Sequence, residues 1–415
     1  MNVMQHRPLT PPQKKRSFSR KQRLIGLVFA GLVITYCGIT IARPFAELAP
    51  SVSNDTLTIT TQTSNLPWPA YGQAAFGLAN GKVIATHGEQ TQVPIASVAK
   101  VINALVILDK HPLAAGADGP TITLTDEDVA LYNHYIAIDG SVMPVRSGMQ
   151  LTERQMLEAL LLPSANNIAD SLAVWTFGSI GAYHTYANNY LQKHGLTNTK
   201  VGGDASGFLP DSVSTTSDLV KLGALAIKNP ALAEIVNEKT AVIPGVGTVR
   251  NYNNLLGTNG IIGVKTGNND QNGGVFLGAT TAQVNGKTVV VISAISGAPT
   301  LSTVLRDSGT FLAAARTTFA ETNIVQKDTV LGTYALTDGS HVQAVASADL
   351  SVVVLRGDTV KARVELKKIS YNAKPGDTVG HVSIAATDFS PATSVPIVLK
   401  QAPVKPSIGY RLLHP

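Results

Sequence analysis

What this chain lacks already narrows its chemistry. One cysteine, Cys37, stands among 415 residues, which excludes an intrachain disulfide and a cysteine-rich metal site. Nine histidines are scattered, and none falls in an H-E-x-x-H pattern or its inverse, so zinc hydrolysis has no support. No G-x-S-x-G occurs either, and with it goes the nucleophile elbow of α/β-hydrolases. Charged residues make up only 14% of the chain, below the usual ~25%. Positive charge is missing from most of the length. Seven basic residues (Arg7, Lys14, Lys15, Arg16, Arg20, Lys21, Arg23) crowd the first 23 positions without an acid, and the remainder holds 26 basic against 27 acidic residues. A nucleic-acid surface needs basic side chains spread over a folded domain, so no nucleic-acid partner is expected.

The basic run leads into Leu24–Ala42, 19 residues without a charge. As a helix it spans roughly 28 Å, close to the ~30 Å hydrocarbon core of a bilayer. Basic residues on its N-terminal flank keep that end in the cytoplasm and send the rest outward. The rival is a cleaved signal peptide, whose apolar core is normally ~7–15 residues long and ends in a small-residue cleavage site. The run here is longer, and Thr40-Ile41-Ala42 and Ala46-Glu47-Leu48-Ala49 match such a site poorly. The expected order is a basic tail over 1–23, a transmembrane helix over 24–42 and a Ser/Thr/Pro-rich spacer over 43–66. A catalytic domain over 67–322, a small all-β sandwich over 323–400 and a tail over 401–415 complete it. Two hairpins are expected, one turning at Asn80-Gly81 between Gln73–Ala79 and Lys82–His87, the other at Asn285-Gly286 within 275–296. Helical patterns run over Ser97–Lys110, Thr152–Leu162, Ala165–Phe177 and Leu301–Glu321. From about 323 short β-like runs alternate with Asp-Gly, Gly-Asp and Pro-Gly turn signals.

Three short patterns carry the chemistry. In Ser97-Val98-Ala99-Lys100 the hydroxyl and the amine share one helical face. A serine in a first helical turn lies where free N–H groups favour a developing oxyanion, and an amine held neutral can take its proton. Ser164-Ala165-Asn166 stands at the start of a helical run, and Lys265-Thr266-Gly267 ends the apolar run Ile261–Val264. Alone, each serine is a helix cap and each lysine a solvated charge. The S-x-N pattern even recurs at Ser370-Tyr371-Asn372. Together, and in this order, S-x-x-K, S-x-N and K-T-G are the trio of β-lactamases and penicillin-binding proteins.

The stretches PIASVAKVINALVIL (94–108), LLLPSANNIADSLA (160–173) and IIGVKTGNNDQNGG (261–274) closely resemble the serine-type D-alanyl-D-alanine carboxypeptidase family, the low-molecular-weight penicillin-binding proteins. The likeness covers roughly 67–322 and extends in position to the family's C-terminal β domain. It implies an α+β fold: an antiparallel sheet packed by helices, a helical lobe, and the site between them. It also implies roles. Ser97 attacks the carbonyl between two terminal D-alanines, Lys100 takes its proton with its pKa depressed by the nearby ammonium of Lys265, and Ser164 relays the proton to the leaving amine. Asn166 holds the substrate amide. Lys265, Thr266 and Gly267 meet the terminal carboxylate, and the N–H groups of Ser97 and Asn268 form an oxyanion hole. Arg250 resembles a carboxylate-binding arginine, the alternative being a solvated side chain. The implied partners are peptidoglycan stem peptides ending in D-Ala-D-Ala and β-lactams as covalent inhibitors, with no cofactor and no metal.

The chain departs from the family pattern at Ala99, Ala165 and Asn269, and its GGDASGF segment (202–208) is unusual. A serine β-lactamase shares the three motifs, but class A enzymes need a deacylating glutamate, and Glu234 and Glu238 lie in a helix-like stretch. A D,D-endopeptidase is a close functional neighbour. A non-catalytic wall-binding module is opposed by the intact serine site.

Overall fold

The structure is a computed structural model that describes residues 19–62, 65–284, 286–387 and 389–414. Residues 1–18 of the basic tail and Asn285 of the second hairpin lie outside them.

Helix α1 (Arg20–Ala42) starts on a capping box made by Ser19 and Gln22. Leu24, Ile25, Leu27, Phe29 and Ile34 keep more than half of their surface exposed along it. It covers the apolar run and is long enough to cross a bilayer.

The catalytic region is a five-stranded antiparallel sheet, ordered β11-β12-β13-β3-β4, with helices on both faces. Its strands are β3 (Gln73–Leu78), β4 (Val83–His87), β11 (Ile261–Asn269), β12 (Gly273–Val284) and β13 (Lys287–Ala298). Both expected hairpins are present, β3–β4 and β12–β13. Strands β3 and β12 are buried almost throughout, because α7 (Thr216–Lys228) covers one face and α9 (Leu301–Ala315) the other. A helical lobe completes this part: α2 (Ala99–Lys110), α3 (Asp126–Ala137), α4 (Glu153–Leu161), α5 (Asn166–Phe177), α6 (Ile180–Lys193) and α8 (Pro230–Val236). Helix α2 runs through its centre, with every residue from Ala99 to Leu108 buried. Three two-stranded ladders trim the lobe: β5 (Val93–Pro94) with β8 (Val213–Ser214), β6 (Thr121–Thr123) with β7 (Gln150–Thr152), and β9 (Thr240–Ile243) with β10 (Gly247–Arg250).

The C-terminal part is all β until its last turn. Strands β15 (Val330–Ala335), β16 (His341–Ala346), β18 (Thr359–Leu366), β19 (Thr378–Ile384) and β20 (Thr393–Leu399) form most of one sheet, and β14 (Phe319–Val325) pairs with β17 (Leu350–Leu355) in a second. Both sheets feed one core, with Ile324, Val352 and Val354 meeting Val342, Val382 and Ile397.

Three expectations are corrected here. The stretch 43–66 is not a free spacer: β1 (Pro50–Val52) pairs with β15 and β2 (Thr56–Thr60) with β18, so the larger sheet has seven strands in the order β1-β15-β16-β20-β19-β18-β2. Ser/Thr-rich composition suggests a linker, yet Thr is a good strand former, and T-L-T-I-T alternates outward threonines with half-buried Leu57 and Ile59. Helix α9 stops at Ala315 rather than near Glu321, so a boundary at 322/323 cuts through β14. The hydroxyls of Thr317 and Thr318 donate to the last helical carbonyls at 2.8 and 2.7 Å, and the chain then enters the ladder with β17. The 401–415 tail contains a short helix, α10 (Ile408–Leu413), beside α1, where the Tyr36 hydroxyl donates to the Leu412 carbonyl at 3.0 Å.

Candidate active site

Ser97 sits on a single 3₁₀ turn, Ala96–Val98, that runs directly into α2. Ile95, Ala96 and Val98 around it are buried, whereas Ser97 itself stays half-buried and reachable. Lys100, one turn on, is wholly buried. Its Nζ lies 2.9 Å from Ser97 Oγ, 2.7 Å from Asn166 Oδ1 and 3.1 Å from the Ser206 carbonyl oxygen. The amine therefore has three oxygen neighbours, one of them the expected nucleophile.

Ser164 and Asn166 enter from the start of α5. The Asn166 backbone N–H donates to the Ser141 carbonyl at 2.7 Å, which fixes the asparagine in place. The buried Ser164 Oγ has no hydrogen-bond partner, an arrangement uncommon for a buried hydroxyl and one that leaves it open to an incoming group. The Asn166 carbonyl oxygen is occupied by Lys100, so its Nδ2 is the atom left for a substrate amide.

Strand β11 closes the other side. It is an edge strand of the five-stranded sheet and packs against the Ser97 turn. Gly267 permits this closeness, since a Cβ there would stand 3.0 Å from the Ile95 carbonyl and 3.3 Å from the Ser97 nitrogen. Lys265 and Thr266 are buried on the same strand, with Lys265 Nζ donating to the Thr266 carbonyl at 3.1 Å. Asn268, one residue past the glycine, is exposed. Arg250 is exposed at the end of β10 opposite Thr240, outside this hydrogen-bonded cluster.

The charge balance differs from the expected one. Burial pushes the Lys100 amine down to about 7, and Asp204 and Asp170 oppose that fall. Lys265 is held well below the ordinary lysine value, chiefly by burial and then by the positive charge of Lys100. Burial is the first cause of the fall at both lysines, and the expected like-charge repulsion between Lys100 and Lys265 adds to it.

Several residues of the site were not singled out from the sequence. Asn103 lies three residues beyond Lys100 on α2 and donates through Nδ2 to the carbonyls of Ala169 and Ala205. Asp170 of α5 accepts from the Tyr135 hydroxyl and from the Ala205 N–H. The unusual GGDASGF segment forms the wall behind Lys100. Gly207, at φ 72°, brings it so close to the serine turn that a Cβ would stand 2.1 Å from the Ala96 carbonyl. Two signals were available: a lone acid and a lone amide inside otherwise apolar helical runs. Glu234 and Glu238 are tied to Arg154, which also bonds Glu158 at 2.8 Å. Among the described residues no group of three or more His, Cys, Asp or Glu is placed to hold a metal ion.

The chain is similar to the D-alanyl-D-alanine carboxypeptidase DacA of Escherichia coli K12, 26% identical over 66% of this chain and 67% of that one. It is similar also to a D-alanyl-D-alanine endopeptidase of Pseudomonas aeruginosa, 30% identical over 51% of this chain and 68% of that one. Among solved structures, a peptidoglycan synthesis regulatory factor (PBP3) of Streptococcus pneumoniae superposes with a TM-score of 0.57 at 21% identity, covering 80% of this chain and 99% of that one. At that identity the likeness speaks for the fold. Residues 319–405 match the C-terminal domain of penicillin-binding protein 5. Residues 70–299, more than half of the chain, match the peptidase family described as D-alanyl-D-alanine carboxypeptidase, and to that family of serine hydrolases the protein belongs.

Proposed function

We propose that Ser97 is the nucleophile of a D,D-carboxypeptidase acting on peptidoglycan stem peptides. The observation that carries this is the 2.9 Å approach of a buried amine, poised near neutrality, to a reachable serine oxygen. Ser97 Oγ attacks the carbonyl between the terminal D-alanines, and its proton passes to Lys100 Nζ. The Ser97 and Asn268 N–H groups take the negative oxygen of the tetrahedral intermediate. Ser164 carries the proton on to the leaving amine, D-alanine departs, and water later releases the acyl chain. Asn166 Nδ2 binds the peptide backbone, while Lys265, Thr266 and Gly267 receive the terminal carboxylate, with Arg250 as an outer cation. A β-lactam presents its own carbonyl to Ser97 and leaves a slow acyl-enzyme.

Helix α1 supports an anchor that crosses the membrane with the N-terminus inside and everything after Ala42 outside, where this polymer lies.

The test uses the full-length chain in detergent. Labelled penicillin should leave a long-lived adduct on Ser97, and a D-Ala-D-Ala pentapeptide should release D-alanine. Ser97→Ala should lose both. Rapid penicillin turnover would favour a β-lactamase, and an adduct retained in Ser97→Ala would sink the mechanism. The endopeptidase relative motivates a parallel assay on cross-linked dipeptide, in which cleavage faster than D-alanine release would reverse the preference.

A further inference from the structure

We propose that Asp170 and Asp204 are positioning residues for this reaction, two buried carboxylates that aim the Lys100 amine at Ser97 and set the pH at which it acts as a base. The proposal rests on the Ser97–Lys100 reading above and extends it to side chains outside the three motifs.

The first observation is a loop built around a carboxylate. Asp204 Oδ1 accepts from the Ser206 N–H at 2.6 Å, the Ser206 hydroxyl at 2.6 Å and the Phe208 N–H at 3.2 Å, and Oδ2 accepts from the Leu209 N–H at 2.7 Å. That folded loop is pinned to two helices. Asp170 Oδ1 accepts from the Ala205 N–H at 3.0 Å, and Asn103 Nδ2 donates to the Ala205 carbonyl at 3.1 Å and the Ala169 carbonyl at 2.9 Å. The product is one carbonyl, that of Ser206, held 3.1 Å from Lys100 Nζ.

That carbonyl decides which way the amine faces. A neutral amine has two N–H bonds and one lone pair. Asn166 Oδ1 and the Ser206 carbonyl take the two N–H bonds, so the lone pair is directed at the Ser97 hydroxyl. Without the Ser206 carbonyl, an N–H could face Ser97 as readily as the lone pair.

The second observation is the placing of charge. Asp170 on α5 and Asp204 in the loop act on Lys100 through their charge, and Lys100 acts in the same way on Lys265 of β11. Tyr135 of α3 donates to Asp170 Oδ2 at 2.7 Å, and the buried Tyr183 of α6 lies within the field of both acids. Two carboxylates favour the ammonium, so they offset burial and keep Lys100 in the range where it can both accept and return a proton.

The test is the pH dependence of Ser97 acylation by labelled penicillin from pH 5 to 9, on the full-length chain in detergent. Asp170→Asn is the charge-only variant: its oxygen still accepts from Ala205, and its NH₂ can donate to the Tyr135 oxygen. The acid limb should move about one pH unit lower, with the plateau kept within a few-fold. Asp204→Asn should move the limb the same way and lower the plateau about tenfold or more, because an amide nitrogen then opposes the Leu209 N–H. Tyr135→Phe keeps both carboxylates and should leave the limb in place whatever happens to its plateau. The proposal is overturned if the two Asn variants change the plateau alone, or if Tyr135→Phe moves the limb as far as they do. Should Asp204→Asn fail to fold, Asp170→Asn decides alone. A parent enzyme with no acid limb would overturn the lysine-base reading itself, a result separable from failure of the acid pair.

Discussion

At the residue scale the site carries a stability cost. Lys100 and Lys265 are both buried, and burial lowers the proton affinity of each. The sign of the effect on stability follows. Lys100 titrates at about 7 when folded and near 10.5 when unfolded, so between those values the unfolded chain binds a proton that the folded chain does not. Its contribution to stability therefore rises with pH through that window and is flat below it. Lys265 shifts in the same direction. Lys265→Met removes a buried amine that donates to the Thr266 carbonyl. It should melt higher than the parent at pH 7, by a few degrees at ~2–4 °C per kcal/mol for a domain of this size. The gap should narrow as pH approaches 10, while acylation is lost. Thermal melts at pH 6, 7, 8 and 9 would show it, and a gap that widens with pH would contradict it. Ser97, Lys100 and Lys265 were legible because each stands in a short local motif, Ser97-Val98-Ala99-Lys100 or Lys265-Thr266-Gly267. Asp170 and Asp204 were not, because a lone acid in one sequence reads as surface charge until the chain buries it.

At the element scale the β domain depends on the chain that leads into the catalytic region. Strands β1 and β2 stand at opposite ends of the seven-stranded sheet, yet only Ser53–Asp55 separates them. That link reaches at most ~14 Å, so the sheet must curl until its ends nearly meet. Packing where it curls is tight: a Cβ at Gly332 of β15 would lie 2.4 Å from Leu366 Cδ1 of β18. The N-terminal chain thus covers both edges that β15 and β18 would otherwise expose, and open edges invite pairing with other chains. We propose that residues 44–62 fold with 319–405 as one unit. A chain starting at residue 44 should remain monomeric, and one starting at 63 should aggregate or lose its β-domain melting transition, with the catalytic transition retained. Calorimetry with light scattering checks this. Equal behaviour of the two truncations would show that β1 and β2 are dispensable. The hairpin strands were legible from Asn-Gly turns and alternation. These two were hidden, because their partners lie 280 to 307 residues away.

At the scale of the whole molecule, the orientation proposed above keeps the basic N-terminal run inside and turns the nearly neutral body after α1 toward the cell wall. Protease added outside intact cells should cut after Arg43 and release an active fragment, while the segment before Leu24 stays protected; protection of the whole chain would contradict this orientation. Sequence alone determined the apolar span, the meeting of Ser97 and Lys100 on one turn and the family likeness, since each is written in near-neighbour spacing or composition. Tertiary structure alone decided that a Ser/Thr-rich lead-in closes a sheet, that burial leads the lowering of the Lys100 amine, and that a carboxylate-centred loop holds the Ser206 carbonyl against Lys100. Edge pairing, desolvation and hydrogen-bond direction arise between residues far apart in the chain. They exist only once folding has excluded water and brought those residues within a few ångströms.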